Sequence, residues 1–406
     1  MYREQRLQFY SKISDFWFDL YGGEYSLYHS HVLSKQEFKE IRFATEKLGG
    51  IFFKSAKLLR KMSDEVLQDL GFPIDAISFL RFKSISPETI ISRFDFVKNG
   101  SDLKMLEFNS DTPTFIKECF FVNGLVAQHF NQKDPNQNEL NLLKNAVTKA
   151  VIESIKTLEY PHQPNVVFTA HHDHAEDWLT CKFLRDIIPL PTKLVPLNEI
   201  TLLEDMLIDS DGVPIDVLYR QTYPLEHLIE DCDEHGEMIG LKLLELVKKK
   251  KIAIINPISS FLLQSKAIQA FIWGLKDDRR FFNEDEGEII VKYMLPTYLD
   301  PESLLGTSYY VEKPAFGREG DTVTIFNPSG EVMIKNTHQS YQKELQIYQK
   351  YIELPNVTVE TEKGEEELSY LFGAFLIAGN ASAIGIRAGG KITANESYFL
   401  PVGLQE

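Results

Sequence analysis

Between Ile91 and Thr114 the run ISRFDFVKNGSDLKMLEFNSDTPT places Arg93, the carboxylates of Asp95 and Glu107, and the amide of Asn109 around a turn signal, Asn99-Gly100. Side chains alternate along a strand, so Arg93, Asp95 and Val97 share one face of the first strand. Glu107 and Asn109 share a face of the second for the same reason. A two-residue turn at Asn99-Gly100 pairs Lys98 with Ser101 and sends Asp95 and Glu107 to opposite faces. A three-residue loop, Asn99 to Ser101, pairs Lys98 with Asp102, Arg93 with Glu107 and Asp95 with Met105, and turns all four polar groups to one side. The three-residue loop is the expectation. Acids desolvated together need a counter-charge. Two carboxylates and an amide carbonyl are hard oxygen ligands that suit Mg²⁺, whose other positions take water and phosphate. The competing reading is a solvent-exposed hairpin with surface charges.

Further cations lie late in the chain. Lys313, on the strand-like run YYVEKP, precedes Arg318 in FGREG. A loop with Gly317 and Gly320 can fold over phosphates through its backbone N–H groups, with the lysine as a point charge. Lys266 opens a helix near Ser265, where an anion would meet free backbone donors. Arg387, in AIGIRAGG, ends a strand and suits a phosphate or carboxylate. Each also has a plain structural reading as a surface or turn cation. The run His171 to His174, HHDH, could bind zinc, but it lacks i, i+4 spacing and reads better as a loop lining a site or the surface.

The elements that must position these groups divide the chain into four regions: 1–80, 81–160, 161–257 and 258–406. The first reads as two or three amphipathic helices ending near Gly71, one starting at Ser63. The second holds the hairpin, a helix over FIKECFFVNGLVAQHF and another over 139–159. In the third, the β-rich runs NVVFTA, KLVPL, IDVLYRQ and KIAIIN alternate with helical EDWLTCKFLRDI and EMIGLKLLELVKKK, which predicts a partly parallel sheet. In the fourth, SKAIQAFIWGL and HQSYQKELQIYQKYIEL read as helical and the rest as strands joined by Gly and Asn turns.

A net charge of −16 over 406 residues argues against non-specific nucleic-acid binding. MYREQRLQFY has no apolar signal core, and no apolar run reaches membrane-spanning length. Cys119, Cys181 and Cys232 are odd in number and widely spaced, which fits a reduced, cytoplasmic setting.

Six blocks in order, MLEFNSDTPT, SKAIQAFIWGL, LPTYLD, YVEKPAFGREGDTVTI, IYQKYIELP and AIGIRAGGKITANESYFLPV, resemble the signature blocks of the glutathionylspermidine synthase family. The resemblance runs from about Phe82 to Val402. It implies that family's synthetase domain, an ATP-grasp-like ligase that activates a carboxylate as an acyl phosphate for attack by an amine. The implied fold is mixed α+β and α/β: an ATP-grasp-like core of permuted order, a pre-ATP-grasp α/β layer, and N-terminal helices. The resemblance also implies roles. Asp95, Glu107 and Asn109 match the Mg²⁺ ligands, and Arg93 the arginine beside the reacting carboxylate. Lys266 and Lys313 match the ATP-phosphate lysines, and Arg318 lies in the loop closing over phosphates. Gln349 and Ile352 to Leu354 match the adenine region, and Arg387 a nucleotide-contacting arginine. Thr112, Thr114, Glu176, Asp177 and Thr222 match substrate contacts. ATP and Mg²⁺ are the implied cofactors, and a carboxylate and an amine the partners, with no nucleic acid or membrane. His227 stands where the family places a substrate-contacting threonine, and amidase activity is not expected, because the chain has no room for that domain before Ile91. A non-catalytic ATP-binding relic that regulates a partner is the alternative.

Overall fold

The computed structural model describes residues 1–158, 163–222, 224–318, 320–393 and 397–405. Glu319 of the glycine loop, Tyr223, and 394–396 of the last block lie outside the described residues, as does the expected helix end at 159.

Three sheets carry the molecule. The first is parallel, ordered Ala253–Ile255, Val217–Gln221, Val166–Ala170, Lys193–Leu194. Its two central strands are buried along their length, as expected when helices cover both faces of a parallel sheet. The second is antiparallel, ordered Thr297–Tyr298, Gln346–Lys350, Tyr310–Pro314, Thr324–Phe326, Val332–Lys335. The third is antiparallel and joins distant parts of the chain. The hairpin Ile91–Asn99 and Asp102–Asn109 adds to Gly364–Ile377, then Asn380–Gly389 and Tyr398–Leu400, with Asn356–Thr361 also pairing with Gly364–Ile377. The chain's two ends meet in a parallel pair, His31–Leu33 with Val402–Leu404.

The alternation of the hairpin separates core from site. Phe94, Phe96 and Phe108 turn to one face, where the Phe94 and Phe108 rings stack at 4.0 Å and Phe52 meets Phe108 edge-on at 4.9 Å. Phe52 comes from the long helix Lys35–Leu59, which starts in a capping box made by Ser34 and Glu37 and buries Ile41, Leu48, Ile51, Phe52 and Leu59. Each such side chain contributes about 1.5–3 kcal/mol by leaving water.

Two sequence expectations are corrected. The hairpin loop has two residues, Gly100 and Ser101, because Asn99 pairs with Asp102, and Gly100 takes a positive φ of 59°. Unbroken, that register sets Asp95 against Leu106. A β-bulge between Met105 and Glu107 inserts Leu106 as the extra residue, so Asp95 faces Glu107 and Arg93 faces Asn109. The shared face therefore stands, but the pairs Arg93–Glu107 and Asp95–Met105 do not. The second correction concerns HQSYQKELQIYQKYIEL. Its middle, Gln346–Lys350, is an internal strand in which Ile347 and Gln349 point inward. Period-two burial there overrides the helix-forming residues around it.

Asn256 links the parallel sheet to both ends of the hairpin. Its Oδ1 accepts from Ile90 N at 2.8 Å and Ile91 N at 3.0 Å, and its Nδ2 donates to the carbonyls of Ile91, at 2.8 Å, and Asp111. Removing this amide strands two buried N–H groups. Asn256→Ala is expected to cost about 2–4 kcal/mol of stability; an unchanged denaturant midpoint would show that water replaces the amide.

Candidate functional site

Arg93, Asp95, Glu107 and Asn109 project from the face opposite the phenylalanines. Arg93 grips Asp95 with two hydrogen bonds, Nε to Oδ1 at 2.6 Å and Nη2 to Oδ2 at 3.1 Å, and donates from Nη1 to the Thr114 carbonyl at 2.9 Å. Both side chains are buried. Gly373 sits opposite Asp95, where a Cβ would come within 3.0 Å of Arg93 Cδ, so its missing side chain lets the guanidinium lie across the sheet. Burial pushes the Asp95 carboxyl up from the usual range against the pull of Arg93.

Glu107 is in the opposite regime. Burial would raise it, but Lys266, Lys313 and Arg93 outweigh that and hold it at about 2. Lys266 Nζ lies 3.4 Å from Glu107 Oε2 and donates to the Gly317 carbonyl at 2.5 Å, tying the glycine loop to the hairpin. Lys313 donates to Gln349 Oε1 at 2.7 Å, and burial pushes its ammonium down to about 8. Gln349 is itself fixed by Gln269 and Thr297, so its side chain positions Lys313.

These residues line a cleft of about 870 Å³. Its lining combines the charged side chains of Asp95, Glu107, Lys266, Lys313, Arg318 and Arg387 with apolar Val311, Ile325, Ile352, Leu354 and Leu371, and with Gln349 and Lys350. A second cleft of about 1520 Å³ shares Glu107, Arg318 and Arg387 with the first. It is lined by Arg93, Asn109, Thr112, Thr114, Glu176, Asp177 and Thr222. Every site residue expected from sequence thus falls on one of two abutting clefts. His171, Asp173 and His174 line the second as a loop; His174 Nδ1 lies 2.9 Å from Asp177, and among the described residues no cluster of three His, Cys, Asp or Glu side chains could hold a metal alone. His227 packs outside these clefts, near Tyr341 at 3.4 Å.

Sequence reasoning missed the wall supplied by the N-terminal segment. Leu20, Tyr21 and Tyr25 line the second cleft, and Tyr25 Oη donates at 2.6 Å to the buried Glu118. Arg6 fixes that segment through Asp19, Glu24 and Glu362. No local pattern marks these residues; they lie far in sequence from everything they face.

The donor set fits a hard divalent ion. Asp95 and Glu107 oppose each other directly with Asn109 alongside, and Arg93 and Lys266 supply the counter-charge. Mg²⁺ would sit on these oxygens and complete its shell from water and phosphate, where it would neutralise phosphoryl charge.

A family profile described as glutathionylspermidine synthase preATP-grasp matches residues 2–405. The chain belongs to this family. It is an enzyme of the carbon–nitrogen ligase class. A curated relative from Haemophilus influenzae, named provisionally as an acid–amine ligase, is 26% identical over 331 residues, 77% of this chain and 74% of that one. The fold is similar to that of a glutathione synthetase-like effector, GSS30, from Globodera pallida. That likeness has a TM-score of 0.57 at 11% identity and covers 93% of this chain and 89% of the other.

Glu176 of this family member is half-buried, and burial with Glu118 and Asp177 nearby pushes its carboxyl up to about 8. The folded state therefore binds a proton that the unfolded state releases near pH 4.5, and stability from this group falls as pH rises from about 4.5 to 8. Glu176→Gln is expected to raise the melting temperature at pH 8 more than at pH 5. Equal shifts at both pH values would remove the acidic-cluster assignment.

Proposed function

We propose that this ligase joins a carboxylate to an amine in an ATP- and Mg²⁺-dependent reaction through an acyl phosphate. The observation that carries the reading is the meeting of the two clefts at Glu107, Arg318 and Arg387. The apolar lining of the first cleft suits a nucleobase and its cations the phosphates. The second cleft suits the acid and the amine. The acid's oxygen attacks the γ-phosphorus, and ADP leaves. The amine nitrogen then attacks the acyl carbon, phosphate leaves, and the nitrogen loses its proton.

The protein's own groups have defined tasks in this scheme. Lys266, Lys313 and Arg318 neutralise phosphate charge. Arg93 uses three of its five N–H donors on Asp95 and Thr114, so two remain for a carboxylate or the oxyanion. Thr112 and Thr114 position the acid. Glu176 and Asp177, on the second cleft, suit a cationic amine, which would ionise Glu176 on binding. A glutathione-like peptide and a polyamine are the first pair to test. Enclosure limits hydrolysis of the acyl phosphate.

The test is an acid-by-amine screen for ADP and phosphate release, with mass measurement of the conjugate. Asp95→Asn and Glu107→Gln are each expected to lower turnover by about 10²–10³-fold, with the circular dichroism unchanged. Full activity in both would falsify the metal assignment. ATP binding without any conjugate across the screen would favour the regulatory relic.

A further inference from the structure

Tyr25 and Glu118 meet across 93 residues of sequence. Glu118 is wholly buried and opens the π-helical turn Glu118–Val122, just after Thr114 of the second cleft. A wide turn of this kind often accompanies a functional site. Tyr25 lines that cleft and is 7% exposed. Its backbone is pinned on both sides: its N donates to the Phe18 carbonyl at 3.1 Å, and its carbonyl accepts from Phe399 N at 2.8 Å. Lys117, beside Glu118, holds the same segment through the carbonyls of Ser14, at 3.0 Å, and Asp15. The ring is therefore fixed in place, and its Oη donates to Glu118 Oε1 at 2.6 Å. Burial, then the charges of Glu118 and Glu176, push the phenol up, so the oxygen keeps its proton. A phenol has one proton to give. With that proton on Glu118, Tyr25 Oη offers a cleft ligand only lone pairs. An amine N–H fits them; the oxygens of a carboxylate or phosphate do not. Glu176 and Asp177 line the same cleft and add negative charge.

We propose that Tyr25 is a specificity-determining residue for the amine, accepting one of its N–H groups at Oη, and that Glu118 is the positioning residue that keeps the phenol an acceptor. The N-terminal segment thereby favours the amine over the acid on its own wall of the second cleft. This rests on the ligase reading for the fate of the amine, whereas its binding can be measured apart from turnover.

The experiment uses the full chain, with spermidine as the amine probe and glutathione as the acid probe, read by calorimetry and by steady-state ADP release. Tyr25→Phe is expected to raise the Kd and KM for the amine about tenfold and to leave those for the acid within about twofold. Glu118→Gln keeps an acceptor oxygen and should stay near the parent. The double variant Tyr25→Phe/Glu118→Met removes both partners of the buried hydrogen bond. It should melt closer to the parent than Tyr25→Phe does, yet bind the amine as weakly. Recovery of amine affinity together with the melting temperature overturns the proposal, because the effect of Tyr25→Phe would then be structural. So does an acid affinity that falls as far as the amine's, an amine affinity that Tyr25→Phe leaves unmoved, or a parent that does not bind spermidine. Spermidine binding that Tyr25→Phe weakens, with no ADP release, keeps the assignment and defeats the ligase reading instead.

Discussion

The buried ion pair between Asp111 and Arg220 is the junction on which the site depends. Arg220 Nη2 lies 2.7 and 2.8 Å from the two carboxylate oxygens, and Ser260 Oγ and Leu225 N complete the shell. Asp111 lies two residues beyond the strand that carries Glu107 and Asn109, and Arg220 belongs to the parallel sheet. The pair thus registers the hairpin that carries Asp95 and Glu107 against the parallel sheet. Such a pair offsets its own desolvation only when every oxygen is satisfied. Here the backbone carbonyl of Asp111 is bound too, by Asn256. The network leaves the hairpin little freedom to slide, and that rigidity keeps Asp95 opposite Glu107.

Much of the site was legible because its chemistry is concentrated in short runs. Arg93, Asp95, Glu107 and Asn109 share a face by strand alternation, and Lys313 and Arg318 sit beside glycines that permit close approach. Yet the alternation was completed by a bulge at Leu106, which no residue type there announces. A one-residue change of register flips every later side chain, so the loop length could be misjudged while the face came out right. The stretch around Gln346 misled for another reason: its glutamines, lysines and glutamate form helices readily, and pairing with Tyr310–Pro314 on one side and Thr297–Tyr298 on the other makes it a strand. Tyr21 and Tyr25 were invisible because long-range packing alone brings them to the cleft.

The two clefts share walls but differ in charge. The second is lined by Arg93, Arg318 and Arg387 together with Asp173, Glu176 and Asp177, and Arg387 is near enough to Glu176 to oppose its raised carboxyl. A ligand carrying both an anionic and a cationic group meets side chains of the opposite sign to each in this cleft. Two of its carboxylates titrate in opposite directions: burial, helped by Glu118 and Asp177, raises Glu176 to about 8, whereas Lys266, Lys313 and Arg93 override burial and hold Glu107 at about 2.

The strand Gly364–Ile377 that backs the hairpin has a further consequence, for the order in which the molecule can be assembled. Ser92 Oγ donates to the carbonyl of Leu376 across 284 residues of sequence, and Leu27 N bonds to the carbonyl of Phe399. On the ribosome, the hairpin emerges with its inner edge unpaired and stays so until nearly the whole chain has been made. An exposed edge of this kind invites pairing with other chains. Closing so large a loop also slows folding. Slow maturation and early aggregation of truncated chains are therefore built into the same sheet that aligns the carboxylates.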